Sequence, residues 1–199
     1  MAVTGQYLGM VLSIADLDSD NAAYFRFCAQ GTLHLQRCKA CKLMRYPPGP
    51  ACPWCAGSTF DWTPVSGRGT VYSYTEVRHP VQLAFRAHVP YLALLVELDE
   101  QRACPTEHEA IRVMGNLATP DGALAPPELV RTAGIGSRVR VVFTPAGPDI
   151  AIPLWTLDET QPAGSIPWRY PEQSSWSTEI SINPDGGTIG AKDKVKALR

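Results

Sequence analysis

The chain has 199 residues, and its 18 Lys and Arg against 19 Asp and Glu leave a formal net charge of -1, which excludes a general electrostatic pull toward nucleic acid or anionic lipid. A composition of 45% hydrophobic and 19% charged residues excludes a wholly disordered chain. The 18 prolines and 16 glycines exclude a helical bundle, because each proline inside a helix removes a hydrogen bond and adds a clash, so short strands and many turns are expected.

No run approaches the roughly 18 apolar residues that a membrane span needs, so no membrane segment is expected. Leu8 to Ala15 is the longest early apolar stretch; no Lys or Arg precedes it, the first basic residue being Arg26, which argues against a signal peptide. Asp18, Ser19 and Asp20 can each cap a helix that Gly31 ends, by accepting a bond from an orphan backbone N–H. Within it Tyr24, Phe27 and Cys28 stand at i, i+3 and i+4 and share one face. Thr32 to Gln36 alternates Leu33 and Leu35 with His34 and Gln36, the period of a half-buried strand.

From Val65 to Val77 the pattern predicts one long strand, with Val71, Ser73, Thr75 and Val77 on one side and Tyr72, Tyr74 and Glu76 on the other. Gly67 and Gly69 would let it bend near its start. Tyr91 to Leu98 is apolar enough to be buried on both faces, and Ile111 to Leu117 is a third strand. The polar loop between them, Asp99 to Ala110, holds Cys104, Glu107 and His108. One helical turn over Glu128 to Ala133 precedes Gly134 and Gly136, and Arg138 to Thr144 and Asp149 to Thr156 form a hairpin about a turn at Pro145 to Pro148. Five strands in about 90 residues, with a short helix between the third and fourth, predict an OB-fold barrel.

The expected architecture is mainly β. It comprises an N-terminal segment and helix over 1–31, a ribbon over 32–64, the five-stranded barrel over 65–157 and an extended C-terminal arm over 158–199. The arm is rich in Pro, Ser, Gly and Thr, carries Trp168, Tyr170 and Trp176, and ends in the basic run Lys192 to Arg199.

Chemistry concentrates in the ribbon. Cys38-x-x-Cys41 and Cys52-x-x-Cys55 lie ten residues apart, and each two-residue spacing turns both sulfurs toward one point. Two such turns facing each other supply the four thiolates of a closed structural zinc site. Around zinc they carry a formal charge of about -2, which Arg37, Lys39, Lys42 and Arg45 can offset from the rim. Two redox dithiols or two disulfides are the alternative, but a redox protein needs only one such pair, and paired cysteines without a spread framework fit a reducing cytoplasm better. A segment of this size cannot bury enough apolar area to stand alone, so metal binding is expected to supply much of its folding free energy. Cys28 reads as a buried small apolar residue and Cys104 as a loop thiol.

The order of helix, Cys-x-x-Cys ribbon, Ser66-Gly67-Arg68-Gly69-Thr70-Val71, Pro90-Tyr91, Val96-Glu97-Leu98-Asp99-Glu100 and Ile152-Pro153-Leu154-Trp155 resembles a bacterial and archaeal family. Its members join a rubredoxin-like zinc ribbon to an OB-fold and work with thiolase-like enzymes. The resemblance runs from about Asp20 to Thr156. It departs from the family pattern at Lys42 and Ala56, where glycine commonly follows the second cysteine of each pair, and at Gln101 to Ala110, which lengthens a usually short turn.

The resemblance implies a non-catalytic accessory subunit of a hetero-oligomer with a thiolase-like or lipid-transfer-protein-like partner. It would help to bind acyl-CoA, for retro-aldol cleavage of a steroid side-chain acyl-CoA or, alternatively, within an acyltransferase or thiolase complex. The residues themselves offer no Gly-x-Ser-x-Gly elbow, no His-Glu-x-x-His and no phosphate loop. His34, His79, His88 and His108 are scattered, with His79 and His88 flanking the loop between the first two barrel strands. Arg68, Arg78, Arg86 and Arg112 can reach a CoA phosphate or lie in solvent, and no contact to CoA is assigned. Nucleic-acid binding is the reading of another class, with Tyr72 and Tyr74 as stacking platforms, but the barrel strands lack the basic groove it requires. The face of Tyr24 and Phe27 and the aromatics Trp168, Tyr170 and Trp176 are candidate docking anchors, unless the arm folds back on its own barrel.

Overall fold

The computed structural model describes residues 3–15, 18–160, 164 and 166–170. Met1–Arg169 forms one compact unit. It opens with a hairpin that local patterning does not announce: β1 (Val3–Tyr7) and β2 (Met10–Ile14) pair antiparallel about Leu8 and Gly9, whose φ angles are 50° and 78°. Two positive central angles match the right-handed twist of the strands they join. What reads as an apolar run from Leu8 is thus a turn and an alternating strand.

Helix α1 (Ser19–Ala29) is capped by Asp18, whose carboxylate accepts the Asn21 N–H at 3.2 Å, and Gly31 lies just past its end at φ 75°. The ribbon sheet has β3 (Leu33–Cys38) at its centre, flanked by β4 (Met44–Arg45) and β5 (Phe60–Val65), all antiparallel.

The expected strand from Val65 to Val77 is two strands in two sheets. β5 ends at Val65 on β3, and β6 (Arg68–Val77) starts afresh on the barrel sheet. The break is Ser66-Gly67. Gly67 takes φ 67°, a conformation that costs a side-chain-bearing residue dearly, and the Glu100 carboxylate fixes the step by accepting the Ser66 N–H at 2.5 Å. A bulge between Val71 and Ser73 also corrects the expected facing. Val71 points into the core opposite Val96, while Ser73, Thr75 and Val77 pair with Leu95, Ala93 and Tyr91 on the outer face.

β6 continues to β7 (Tyr91–Leu98), β8 (Arg112–Asn116), β9 (Arg138–Gly147) and β10 (Ile150–Leu157), in the spatial order β10-β9-β6-β7-β8. A single helical turn, α2 (Pro127–Val130), lies between β8 and β9. The turn of the last hairpin is Pro148-Asp149, shorter than expected, because β9 extends through Pro145 to Gly147. The sheet's two edges meet at one parallel bridge, Leu117 to Trp155, beside which the Ala118 N–H donates to the Trp155 carbonyl at 2.7 Å. That single bridge leaves the barrel partly open, as OB-folds are. Gly115 allows the close approach there, since a Cβ would stand 2.9 Å from the Trp155 ring.

One apolar core serves barrel, ribbon and helix together. Leu92, Leu94, Val96 and Leu98 of β7 lie in the same cluster as Leu33, Leu35 and Met44 of the ribbon and Tyr24 of α1. No described helix is long and apolar enough to cross a membrane.

Candidate metal centre

Two knuckle turns carry the four cysteines. In the first, the Lys42 N–H donates to the Cys38 carbonyl at 3.0 Å, and in the second the Ala56 N–H donates to the Cys52 carbonyl at 2.9 Å. Lys42 and Ala56 have φ of 67° and 58°, the left-handed region that favours glycine. The departures from glycine seen in the sequence are therefore accommodated without a change of turn, at a cost in backbone energy.

The turns face each other across the ribbon's end. The sulfurs of Cys38 and Cys55 lie 3.6 Å apart, those of Cys41 and Cys52 3.5 Å, and all four fall within 4.8 Å of one another. None is in a disulfide. Four thiolates at a Zn–S distance of about 2.3 Å form a tetrahedron of edge about 3.8 Å, so the donor set and its spacing fit a tetrathiolate ion. Backbone N–H groups are aimed at the sulfurs. Those of Cys41 and Ala40 favour the thiolate of Cys38 and those of Trp54 and Cys55 that of Cys52, while hydrogen bonds from the neighbouring thiols push Cys41 up, so the crowded cluster holds a proton that a metal ion would displace. Of the expected rim cations, Lys39 pairs with Asp61 at 3.0 Å. Arg45 lies inside the ribbon, stacked 4.6 Å over Phe60, with its Nε donating to Gln36 at 2.6 Å.

The joint between ribbon and barrel is built by residues that local sequence reasoning passed over. After β7 the chain turns through Asp99–Gln101, and each side chain of this turn does a separate job. The Asp99 carboxylate accepts from Arg138, at 2.5 Å and 2.8 Å, and from Arg102. Those hydrogen bonds, the Arg138 one first, hold its carboxyl below the usual range. Glu100 holds Ser66, and the buried Gln101 amide oxygen accepts the Met44 N–H of β4 at 2.7 Å.

The other expected site residues are spread over the molecule. Arg68 is bound to the buried Asp158 carboxylate and donates to Thr160 at 3.1 Å. Arg112 pairs with Glu97 at 3.0 Å, donates to the carbonyls of Glu107 and His108, and lies 3.6 Å over the Tyr72 ring. Arg78 pairs with Glu76 at 2.7 Å. His34 is stacked on Phe27 at 4.0 Å, far along the chain from His79, His88 and His108 in the barrel loops. Of the two expected helix anchors, Tyr24 is 2% exposed and is spent on the protein's own core, while Phe27, partly buried, stacks on His34 and lies 5.4 Å from Trp62; Cys28 is buried. Cys104 is exposed.

Of the arm's aromatics, Trp168 forms a bridge with Ile135 on the barrel, and Trp176 lies outside the described residues. Arg169, beside Trp168, donates to the Val130 carbonyl at 2.6 Å and to Glu76 at 2.9 Å. This part of the arm folds back on its own barrel. A cleft between the end of α1 and the β9–β10 turn, lined by Cys28, Gly31, Phe143 and Ile150, has a volume of about 180 Å³, below the roughly 300–1,000 Å³ of ordinary ligand pockets.

Comparison with known proteins agrees with this architecture. Residues 62–144 match the family described as ChsH2, C-terminal OB-fold domain. A Thermomonospora curvata protein named "Probable enoyl-CoA hydratase alpha subunit" is 35% identical over 139 residues, 70% of this chain and 38% of its own length, so the chain spans well under half of that relative. A chain of the solved "Ltp2-ChsH2(DUF35) aldolase" is 33% identical with a TM-score of 0.55, covering 72% of this chain and 98% of its own. On that near-complete match, the chain belongs to the ChsH2-type DUF35 family of OB-fold proteins.

Proposed function

We propose that this protein is a non-catalytic accessory subunit that pairs, as a cytoplasmic hetero-oligomer, with a thiolase-like or lipid-transfer-protein-like enzyme subunit. It helps that partner handle acyl-CoA. Cys38, Cys41, Cys52 and Cys55 hold a structural zinc ion, whose closed four-sulfur shell leaves no position for a reacting water. The observation that carries the reading is the match over 98% of a chain from an aldolase assembly. The relative named as an enoyl-CoA hydratase subunit supports the acyl-CoA part.

The reaction favoured is retro-aldol cleavage of a steroid side-chain acyl-CoA. In it the bond between the α and β carbons of a 3-hydroxyacyl-CoA breaks, the hydroxyl-bearing carbon becomes a ketone, and the shorter acyl-CoA takes up a proton. The carbon–carbon chemistry belongs to the partner. Here the ribbon over 32–64 and the barrel over 65–157 would act together, because they share a core and the Asp99–Gln101 joint. Co-expression with the thiolase-like subunit of the same source tests this. The pair should cleave a steroid 3-hydroxyacyl-CoA that neither chain cleaves alone. Turnover by this chain by itself, or an undiminished rate without it, contradicts the reading. Acyl transfer by the pair without cleavage would favour the acyltransferase alternative.

A further inference from the structure

Strand β7 seals one face completely, while its other face, apolar from Tyr91 to Leu95 and ending in Glu97, is only partly covered within the chain. Leu92, Leu94, Val96 and Leu98 point into the barrel and are sealed from water, while Tyr91, Ala93 and Leu95 are only partly buried. The register sets Met114 of β8 beside Leu95, and Met114 is 62% exposed. At the other end of the strand the face continues into the loop between β6 and β7. There Phe85 packs on Tyr91 with ring centroids 5.0 Å apart and on Tyr7 at 6.3 Å. Held by those rings, the loop turns Val81 (96% exposed) and Leu83 (71% exposed) to solvent. Exposed aliphatic side chains gathered along one face and its adjoining loop mark a candidate interaction surface. OB-folds use this face and this loop for their ligands.

The charge around the strip says what covers it. Residues 77–96 contain no Asp or Glu; the acids that flank them, Glu76 and Glu97, are paired with Arg78 and Arg112, which leaves Arg86, with His79 and His88, as the loop's cationic rim. We infer that this outer face of β6, β7 and β8, with the Arg78–Pro90 loop, docks an apolar surface rimmed by carboxylates on the partner enzyme subunit. This rests on the accessory-subunit reading above. Apolar contact supplies the affinity, and the cationic rim supplies steering and salt dependence.

The test uses the full chain, with the thiolase-like subunit of the same source as probe, by isothermal titration and sedimentation. Met114→Glu and Leu83→Glu, both at exposed positions, should each weaken association at least tenfold. Arg86→Glu should also weaken it and flatten its dependence on salt. Val11→Glu, exposed on the N-terminal hairpin, should bind like the wild type. Peroxide oxidation of Met114 in the wild type is a second readout that needs no variant to fold. It should be fast in the free chain and slowed at least fivefold in the complex. A wild-type complex indifferent to Met114→Glu and Leu83→Glu, with Met114 oxidised at the free rate, overturns the surface while leaving the accessory role. Slow oxidation in the free chain would show the chain's own C-terminal segment on the strip and also overturn it. Absence of any complex removes the accessory reading, and this surface with it.

Discussion

Between Cys38 and Phe60 the ribbon buries Met44 and the sulfurs of Cys38 and Cys52, whereas the barrel seals Leu92, Leu94, Val96, Leu98 and Val113 completely from water. The first region has almost no apolar area to offset the entropy of ordering two knuckles, and the second has a core of its own. The difference teaches that the two ends fail differently. The knuckles depend on what the sulfurs bind, and the barrel depends on side-chain packing, although Leu33, Leu35 and Met44 tie the base of the ribbon into the barrel's core.

The largest effect should separate them. Cys38→Ser should remove metal-coupled folding energy on the order of 10 kcal/mol from the knuckles. Zinc content should fall to near zero, and amide-exchange protection should be lost at Lys42 and Ala56 but kept along β7. Leu94→Ala should do the reverse, lowering global stability to denaturant by about 2–5 kcal/mol while the folded fraction keeps its metal. Loss of protection across the whole chain in the cysteine variant would break the comparison.

A smaller effect tests the joint. Gln101→Ala leaves the buried Met44 N–H without its acceptor and should cost about 1–3 kcal/mol by denaturant titration, with metal content unchanged. Asp99 sharpens the same point through pH. Arg138 and Arg102 hold its folded-state carboxyl below its unfolded value, so its stabilisation is full above the unfolded pKa of about 4 and is lost as pH falls through the lower folded value. Asp99→Asn should therefore lower stability at neutral pH and flatten its decline in acid.

These residues also show what the sequence discloses and what it does not. The cysteine pairs, the helix from its Asp18 cap to Gly31, and strands β7 and β9 come from spacing and periodicity, which are local properties. Gln101 reaches Met44 across 57 positions and Arg169 reaches Glu76 across 93, and no periodicity encodes such partners. The break at Ser66-Gly67 is hidden because β-strand pattern persists on both sides of it, and only sheet pairing tells the two strands apart. The N-terminal hairpin escapes notice because Leu8, an unusual residue at φ 50°, occupies a turn position where Asn or Gly would have signalled it.

The smallest effect lies at the knuckles. Ala56→Gly relieves a φ of 58°, a left-handed conformation that costs an L-residue about 1–2 kcal/mol and that glycine's greater unfolded-state freedom only partly offsets, and should raise the thermal midpoint of the metal-bound protein slightly. An unchanged or lowered midpoint would mean that the turn is not strained.

The decisive measurement is native mass spectrometry of the chain co-expressed with the proposed thiolase-like subunit, which should show a hetero-oligomer in which every copy of this chain carries one zinc ion. A polypeptide that flies alone at its bare mass, or a complex assembled around metal-free copies, would contradict it.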